Sequence, residues 1–270
     1  MADLSKIKIR ASQTASWTDC PRRGAAKAYR EMLKQAGFEL PDYAYSVRFV
    51  ASCLGTAVHT GAALALQNKI DGKETSLDDM TDSALKDFEV AKEDGLAFDT
   101  VTASPTEANT QIKAICKAYY HSILPNVQPI SVEQSLSAIL KDGTEITSHS
   151  DVLEIDSVRD LKTGKDPMSY HAQLGCYSLL AKANQICEPK QLIIDWLPRS
   201  KNFVEPKSFV FNVDICEQEA KSAIQQIVSQ VSAFMASGDP CSFPASPMSN
   251  LCSERFCPAF GTGFCKLKEV

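Results

Sequence analysis

Residues 145–165 hold the densest group of side chains able to do chemistry. Asp151 sits in Ser-His-Ser-Asp-Val-Leu-Glu-Ile, and nine residues later Asp160 opens Asp-Leu-Lys-Thr-Gly-Lys. Val158, Asp160 and Lys162 alternate with Arg159, Leu161 and Thr163, which predicts a strand. Side chains two apart on a strand share a face, so Asp160 and Lys162 point the same way. Two carboxylates about 4 Å apart repel by roughly 4 kcal/mol at an effective dielectric near 20. Either one of them stays protonated or a cation sits between them. A hard divalent ion such as Mg²⁺ or Mn²⁺ suits oxygen ligands and leaves room for water and phosphate oxygens. It also stabilises charge on a transferring phosphoryl group. A lysine beside it can orient or deprotonate the attacking water, or neutralise charge. The chemistry such a set supports is phosphodiester cleavage. A lone Asp-x-Lys also fits a solvated hairpin, with Thr-Gly-Lys as its turn, so the neighbouring elements decide.

Those elements supply further polar residues at regular places. Val132 to Leu140 reads as a strand carrying Glu133, and Lys141-Asp142-Gly143 as a turn. Glu145 to Ile155 is the returning strand and presents Asp151. Residues 169–184 read as a helix with Gln173 and Tyr177 at i and i+4 on one face. Upstream, Gly55-Thr56-Ala57-Val58-His59 leads into an alanine-rich helix over 55–68. Further helices are expected over 12–35, broken at Cys20-Pro21, and over 75–93, with a turn at Asp94-Gly95, then over 104–122 and 214–236. Strands are expected over 191–198 and 207–213. Ser237-Gly-Asp-Pro240 stops the last helix.

This order resembles the RecB-like branch of the PD-(D/E)XK nucleases. The matching residues are His59, Glu133, Asp151, the Asp-x-Lys-Thr-Gly set (Asp160, Lys162, Thr163, Gly164) and the Gln-x-x-x-Tyr pair (Gln173, Tyr177), spanning 55–177. Ser148 stands where many members have glycine, three residues before the first aspartate. The resemblance implies an α/β fold: a restriction-endonuclease-like mixed central sheet flanked by helices, with a helical N-terminal part and a cysteine-ligated C-terminal tail. It implies that Asp151 and Asp160 bind Mg²⁺ or Mn²⁺ with the Leu161 carbonyl and His59. Lys162 would serve the nucleophilic water, Gln173 and Tyr177 would hold the DNA strand or support the site, and Glu133 would be a ligand or a partner of one. It further implies DNA as substrate, single-stranded or bearing an end, and a role in recombination, repair or phage DNA processing beside a recombination or replication protein.

The chain has 270 residues and ten cysteines. Cys252, Cys257 and Cys265 cluster near the C-terminus, and Cys20 stands in Thr-Asp-Cys-Pro-Arg-Arg. Thiolates gathered by a Pro/Gly-rich loop suit zinc or an iron–sulfur cluster. Cys241 with the C-terminal trio would form a local zinc site without Cys20. The resemblance points instead to the subgroup in which one N-terminal and three C-terminal cysteines close a 4Fe–4S cluster, as in CRISPR-associated RecB-like exonucleases and AddB nuclease domains. Here the trio is more widely spaced than that subgroup's usual pattern. Cys53, Cys116, Cys176, Cys187 and Cys216 are scattered and read as small apolar residues.

A 44% hydrophobic composition supports a full core. One nuclease domain over 1–270 is expected, with a helical part at 1–125, a catalytic core at 126–236 and a cluster tail at 237–270 closing onto Cys20. Net charge is −5, which disfavours tight nonspecific binding to nucleic acid. Many acids fall in 71–99, and the basic spots are Arg22-Arg23, Lys162–Lys165 and Arg199–Lys201. The start lacks an apolar signal stretch and no run approaches the ~20 apolar residues of a membrane span, so a reducing cytoplasmic setting, bacterial or phage-infected, is expected without disulfides. No phosphate-binding Gly-rich loop or Gly-x-Ser-x-Gly elbow is present. The reading opposed to catalysis is a nuclease fold that binds DNA or a partner and keeps its metal cluster as scaffold.

Overall fold

The structure, a computed structural model, describes residues 7–93, 95–164, 170–202 and 204–266. Lys165 and Asp94, named above, and the first position of the helix expected over 169–184 lie outside the described residues. The elements run β1 (Lys8–Arg10), α1 (Thr14–Asp19), α2 (Pro21–Ala28), α3 (Arg30–Gln35), α4 (Tyr43–Ser46), α5 (Val50–Ile70), α6 (Leu77–Glu93) and α7 (Pro105–Ser122). There follow β2 (Ser131–Ile139), β3 (Glu145–Leu153), β4 (Ser157–Lys162), α8 (His171–Ala183), β5 (Gln191–Trp196), β6 (Lys207–Phe211) and α9 (Val213–Ser237).

The sheet is mixed. β2, β3 and β4 form an antiparallel meander, and β4 and β5 are parallel because α8 carries the chain back across one face. β6 closes an antiparallel hairpin on β5. β3 meets β2 along one edge and divides the other between two strands. β1 runs parallel to Glu145–Thr147, and β4 pairs only with Val152 and Leu153. The ladder on that edge thus stops at Thr147 and resumes at Val152, and Asp151 lies at the gap. β1 is too short and polar to have shown in the sequence.

Both faces of the sheet are covered. Leu153, Val158, Leu192 and Ile194 pack with α8, α9 and the N-terminal helices, together with Phe243, Phe264 and Cys265 of the tail. Val152 and Leu161 face a second apolar group built from α5, α6 and α7. Such coverage explains why β5 is buried almost throughout. Gly175 lets α8 and α9 touch, since a Cβ there would fall 1.9 Å from the Cys216 carbonyl oxygen. Ser104 caps α7 by accepting from Glu107 N–H, and Glu107 accepts in return from Ala103 N–H. Gly238, at φ +66°, ends α9 in the left-handed conformation glycine tolerates best.

α5 begins five residues before its expected start, at Val50. It is long and apolar enough, by length and composition, to cross a membrane, which corrects the expectation that no run approaches that length. It packs on α6, α7 and β2 while its other face carries Ser52, Thr56 and His59 into a polar pocket. These are the surroundings of a core helix.

Candidate active site

Glu133, Asp151 and Asp160 lie in one row across three strands. Val132 pairs with Val152 and Gln134 with Ser150, so Glu133 stands opposite Asp151. Val152 pairs with Arg159, so the next position places Asp151 opposite Asp160. The ladder is interrupted at both points. Glu133 takes φ +51°, a sparsely populated conformation for a side chain of its size. At the β3–β4 gap, the Leu161 N–H donates to Asp151 Oδ2 at 2.7 Å. A side chain there replaces a backbone partner and holds the carboxylate in place.

α5 brings His59 to this row. Gly55 makes the approach possible, because a Cβ there would lie 2.8 Å from Thr163 Oγ1 at the end of β4. His59 Nδ1 is 3.4 Å from Asp151 Oδ2. Ligand atoms of His59, Glu133 and Asp151 all fall within 4.8 Å of one another, a group able to hold a metal ion. They line an open pocket with Thr56, Leu161 and Lys162. Asp160 differs from this trio. It is 1% exposed, its Oδ2 contacts Lys162 Nζ at 2.5 Å without hydrogen-bond geometry, and its Oδ1 accepts from Gln173 Nε2 at 3.3 Å. Gln173 Nε2 also lies 2.6 Å from the Tyr177 hydroxyl, as their i, i+4 spacing predicts. The Lys162 ammonium sits 5.1 Å from the centre of the Tyr170 ring. All seven polar residues singled out in the sequence therefore gather at one place. They divide into an open trio of His59, Glu133 and Asp151, and a buried set of Asp160, Gln173 and Tyr177, with Lys162 reaching from the pocket to Asp160.

Electrostatics sharpen the division. Burial pushes the Asp160 carboxyl up to about 6, Asp151 adds to the rise, and Lys162 opposes it. Burial would also raise Asp151, but the adjacent His59 and Lys162, with the Leu161 N–H, hold it below the usual carboxylate range. Burial and the charge of Asp151 raise Glu133. Lys162 is held above its ordinary value because Asp160 and Asp151 outweigh its burial. His59 is raised, burial being outweighed by Asp151.

Two groups escaped the sequence reading. His149 Nε2 lies 2.7 Å from Glu133 Oε2, and its Nδ1 lies 3.0 Å from the Ser135 hydroxyl. With Ser135 donating to Nδ1, Nε2–H donates to Glu133 and steadies its unusual backbone. Ser135 and His149 face each other in the β2–β3 register, so a correct strand alignment would have revealed them. The second group is beneath the site. Buried Arg159 donates to both Asp195 carboxylate oxygens, at 2.9 and 2.8 Å, and ties β4 to β5.

The tail forms a separate site. Cys20, Cys252, Cys257 and Cys265 line one pocket with Arg22 and Arg23. Cys241 is exposed and does not line it. The Cys257 thiol is raised by burial and then by the nearby Cys265 and Cys20, and Cys252 likewise. Arg22 stitches the chain ends together by donating to the Phe243 and Pro240 carbonyls. Cys53, Cys116, Cys176 and Cys216 are buried and Cys187 is half-buried.

No curated protein matches this sequence. Among solved structures, the chain is similar to the crystal structure of a putative exonuclease from Eubacterium rectale, with a TM-score of 0.55 and 11% identity. The match covers 93% of this chain and 88% of that one, and at this identity it speaks for the fold. The family model of the PD-(D/E)XK nuclease superfamily matches residues 10–261, and the chain belongs to that superfamily.

Proposed function

We propose that this protein is a metal-dependent deoxyribonuclease that degrades DNA from an end, in recombination, repair or phage DNA processing. The observation that carries this is the register row of Glu133, Asp151 and Asp160, with His59 on one side and Lys162 on the other. Two carboxylates and one imidazole within 4.8 Å of one another could converge on a divalent ion, and the oxygen-rich set suits Mg²⁺ or Mn²⁺. When bound, such an ion polarises phosphoryl oxygens and makes water more acidic. His59, Glu133 and Asp151 would hold it, with the Leu161 carbonyl and Asp160 completing the set. Asp160 Oδ2, buried and met among the described residues by the Lys162 ammonium alone, has a lone pair left for an ion. Lys162, kept above its ordinary pKa, enters as an ammonium. It therefore donates to the attacking water or a phosphate oxygen and neutralises charge. Gln173 and Tyr177 keep the Asp160 carboxylate aimed.

The test is digestion of end-labelled linear DNA and of covalently closed circles, with Mn²⁺ and with Mg²⁺. Loss of linear DNA only, abolished in Asp151→Ala and in Lys162→Met, is expected. Equal cutting of circles overturns the end-directed reading, and equal cutting by Asp151→Ala overturns the site.

For the tail, a 4Fe–4S cluster held by Cys20, Cys252, Cys257 and Cys265 fits better than zinc. Tetrahedral zinc holds sulfurs at about 2.3 Å, which sets them about 3.8 Å apart. Among the described residues no three thiols share a 4.8 Å neighbourhood, so a larger core suits the spacing. The pocket also offers counter-charge. Arg23 is 3% exposed and binds Asp19 through one nitrogen, while its Nε and Nη1 have no partner. Buried donors left open beside four thiols suit an anionic sulfur cluster. Iron and visible absorbance lost in Cys20→Ala and kept in Cys241→Ala would support this ligand set. The reverse pattern would replace Cys20 with Cys241.

A further inference from the structure

We propose that Phe49, Arg255 and Phe256 form a stacking platform for the bases of a single DNA strand beside the active-site pocket. The inference rests on the nuclease reading for the identity of its ligand and goes beyond it in naming the strand state. Phe49 ends the turn before α5, and Arg255 and Phe256 lie in the tail loop between Cys252 and Cys257. The two rings stand 5.7 Å apart at 38°, and the Arg255 guanidinium lies 5.4 Å from one ring centre and 5.2 Å from the other. Phe256 is 37% exposed and Arg255 is exposed. A phenyl group left this open adds little to the core, yet it is held in a defined place by a cation over its face. An aromatic surface joined to a guanidinium offers stacking to bases and positive charge to phosphates, and it is tolerant of sequence because every base has a π face.

The position of the group supports a strand leading to the acids. From Phe49, α5 runs past Ala51, Ser52, Gly55, Thr56 and His59, all of which line the active-site pocket. Ala51, Ser52, Gly55 and Thr56 have small side chains that leave room over the helix. Phe49 and His59 are ten residues apart, about 15 Å along a helix, or roughly four stacked nucleotides at 3.4 Å each. Bases can reach the rings only when unpaired. The platform therefore predicts a preference for single strands, or for duplex ends that fray.

The experiment measures binding without cutting. The full chain as purified is titrated into fluorescein-labelled (dT)12 and into a 12-base-pair duplex, in EDTA, by fluorescence anisotropy. Phe256→Leu keeps apolar packing and removes the aromatic face, and Phe256→Trp enlarges that face. The expected result is weaker (dT)12 binding by Phe256→Leu, within the 5- to 150-fold range that base–aromatic stacking spans. Phe256→Trp is expected to bind at least as tightly as the parent, and duplex affinity to stay within twofold throughout. An unchanged thermal midpoint in Phe256→Leu separates lost stacking from a loosened tail. The proposal is overturned if Phe256→Leu binds (dT)12 like the parent, if duplex binding falls equally, or if the parent binds no single strand. Failure of the nuclease reading would show separately, as a parent protein that binds (dT)12 through Phe256 yet cuts nothing with Mn²⁺.

Discussion

Replacing Asp195 with Asn tests whether the buried ion pair beneath the site holds β4 against β5. Arg159 and Asp195 are 8% and 3% exposed, on the neighbouring strands β4 and β5. Asp195 accepts two hydrogen bonds from Arg159 and a third from the Ser208 hydroxyl at 2.6 Å. The Asn variant keeps the shape but turns one accepting oxygen into a donor facing a guanidinium. Breaking a buried pair costs about 3–5 kcal/mol, because the remaining charge stays desolvated. Glu154 Oε2, 3.5 Å from the same guanidinium, compensates in part, so the lower end, about 3 kcal/mol, is expected. That is a large share of a typical stability of about 5–15 kcal/mol. Urea unfolding at neutral pH, followed by circular dichroism, measures the loss. Replacing both partners with apolar residues, Arg159→Met with Asp195→Leu, is expected to recover most of it. The reasoning fails if Asp195→Asn lies within 1 kcal/mol of the parent, or if the double variant is no better than the single.

Gly55→Ala would ordinarily stabilise a helix interior by about 1 kcal/mol, but here the added carbon meets Thr163 Oγ1. We expect no gain in the parent and weaker Mn²⁺ binding as α5 is pushed from β4, with the gain restored in a Thr163→Ala background. A full gain in the parent would refute the close approach. Asp99 pairs with Arg199 at 2.8 Å, and the hydrogen bond from that guanidinium lowers its carboxyl to about 2. A depressed folded-state pKa contributes stability above the unfolded value near 4, and this is lost as pH falls toward 2. The stability difference between parent and Asp99→Asn is therefore expected to be full at pH 5 and to shrink between pH 4 and 2. A difference that stays constant over that range would refute it.

Local spacing carried most of the site. Asp160 with Lys162 and Gln173 with Tyr177 are two- and four-residue relations, and the contacts at 2.5 and 2.6 Å reproduce them. The meander from 131 to 162 was legible because turn residues separate its strands. Relations set by register and by distant packing were hidden. Ser135 facing His149, the divided edge of β3 and the pairing of Arg159 with Asp195 each depend on which strand lies beside which. Glu133 illustrates the limit best. Its type and strand were readable, but its entry into the open trio depends on a backbone turned to φ +51°, and no side-chain alternation encodes that. The early start of α5 was missed because Ala51, Ser52 and Cys53 give no helical periodicity of their own.

The repulsion expected between Asp151 and Asp160 is met by making the two acids unequal. Asp151 lies at the gap in the ladder, where His59 and the Leu161 N–H favour its charged form. Asp160 is enclosed between β4 and α8, where burial disfavours charge and Lys162 limits the rise to about 6. One acid would thus be ready to hold a cation before any arrives, while the other would gain its full charge as positive charge accumulates nearby. An ion entering the open trio would add that charge and draw Asp160 toward ionisation, and the Lys162 ammonium, shared by both carboxylates, would be freed for phosphate. Lys162→Met then has a consequence separate from catalysis. Without the ammonium, Asp160 rises further above its ordinary value, and Mn²⁺ binding should require higher pH than in the parent. Titration of Mn²⁺ by the disappearance of its free-ion EPR signal, across pH 5.5–8, measures this shift. If the parent and Lys162→Met show the same pH dependence, Lys162 does not govern the charge of Asp160.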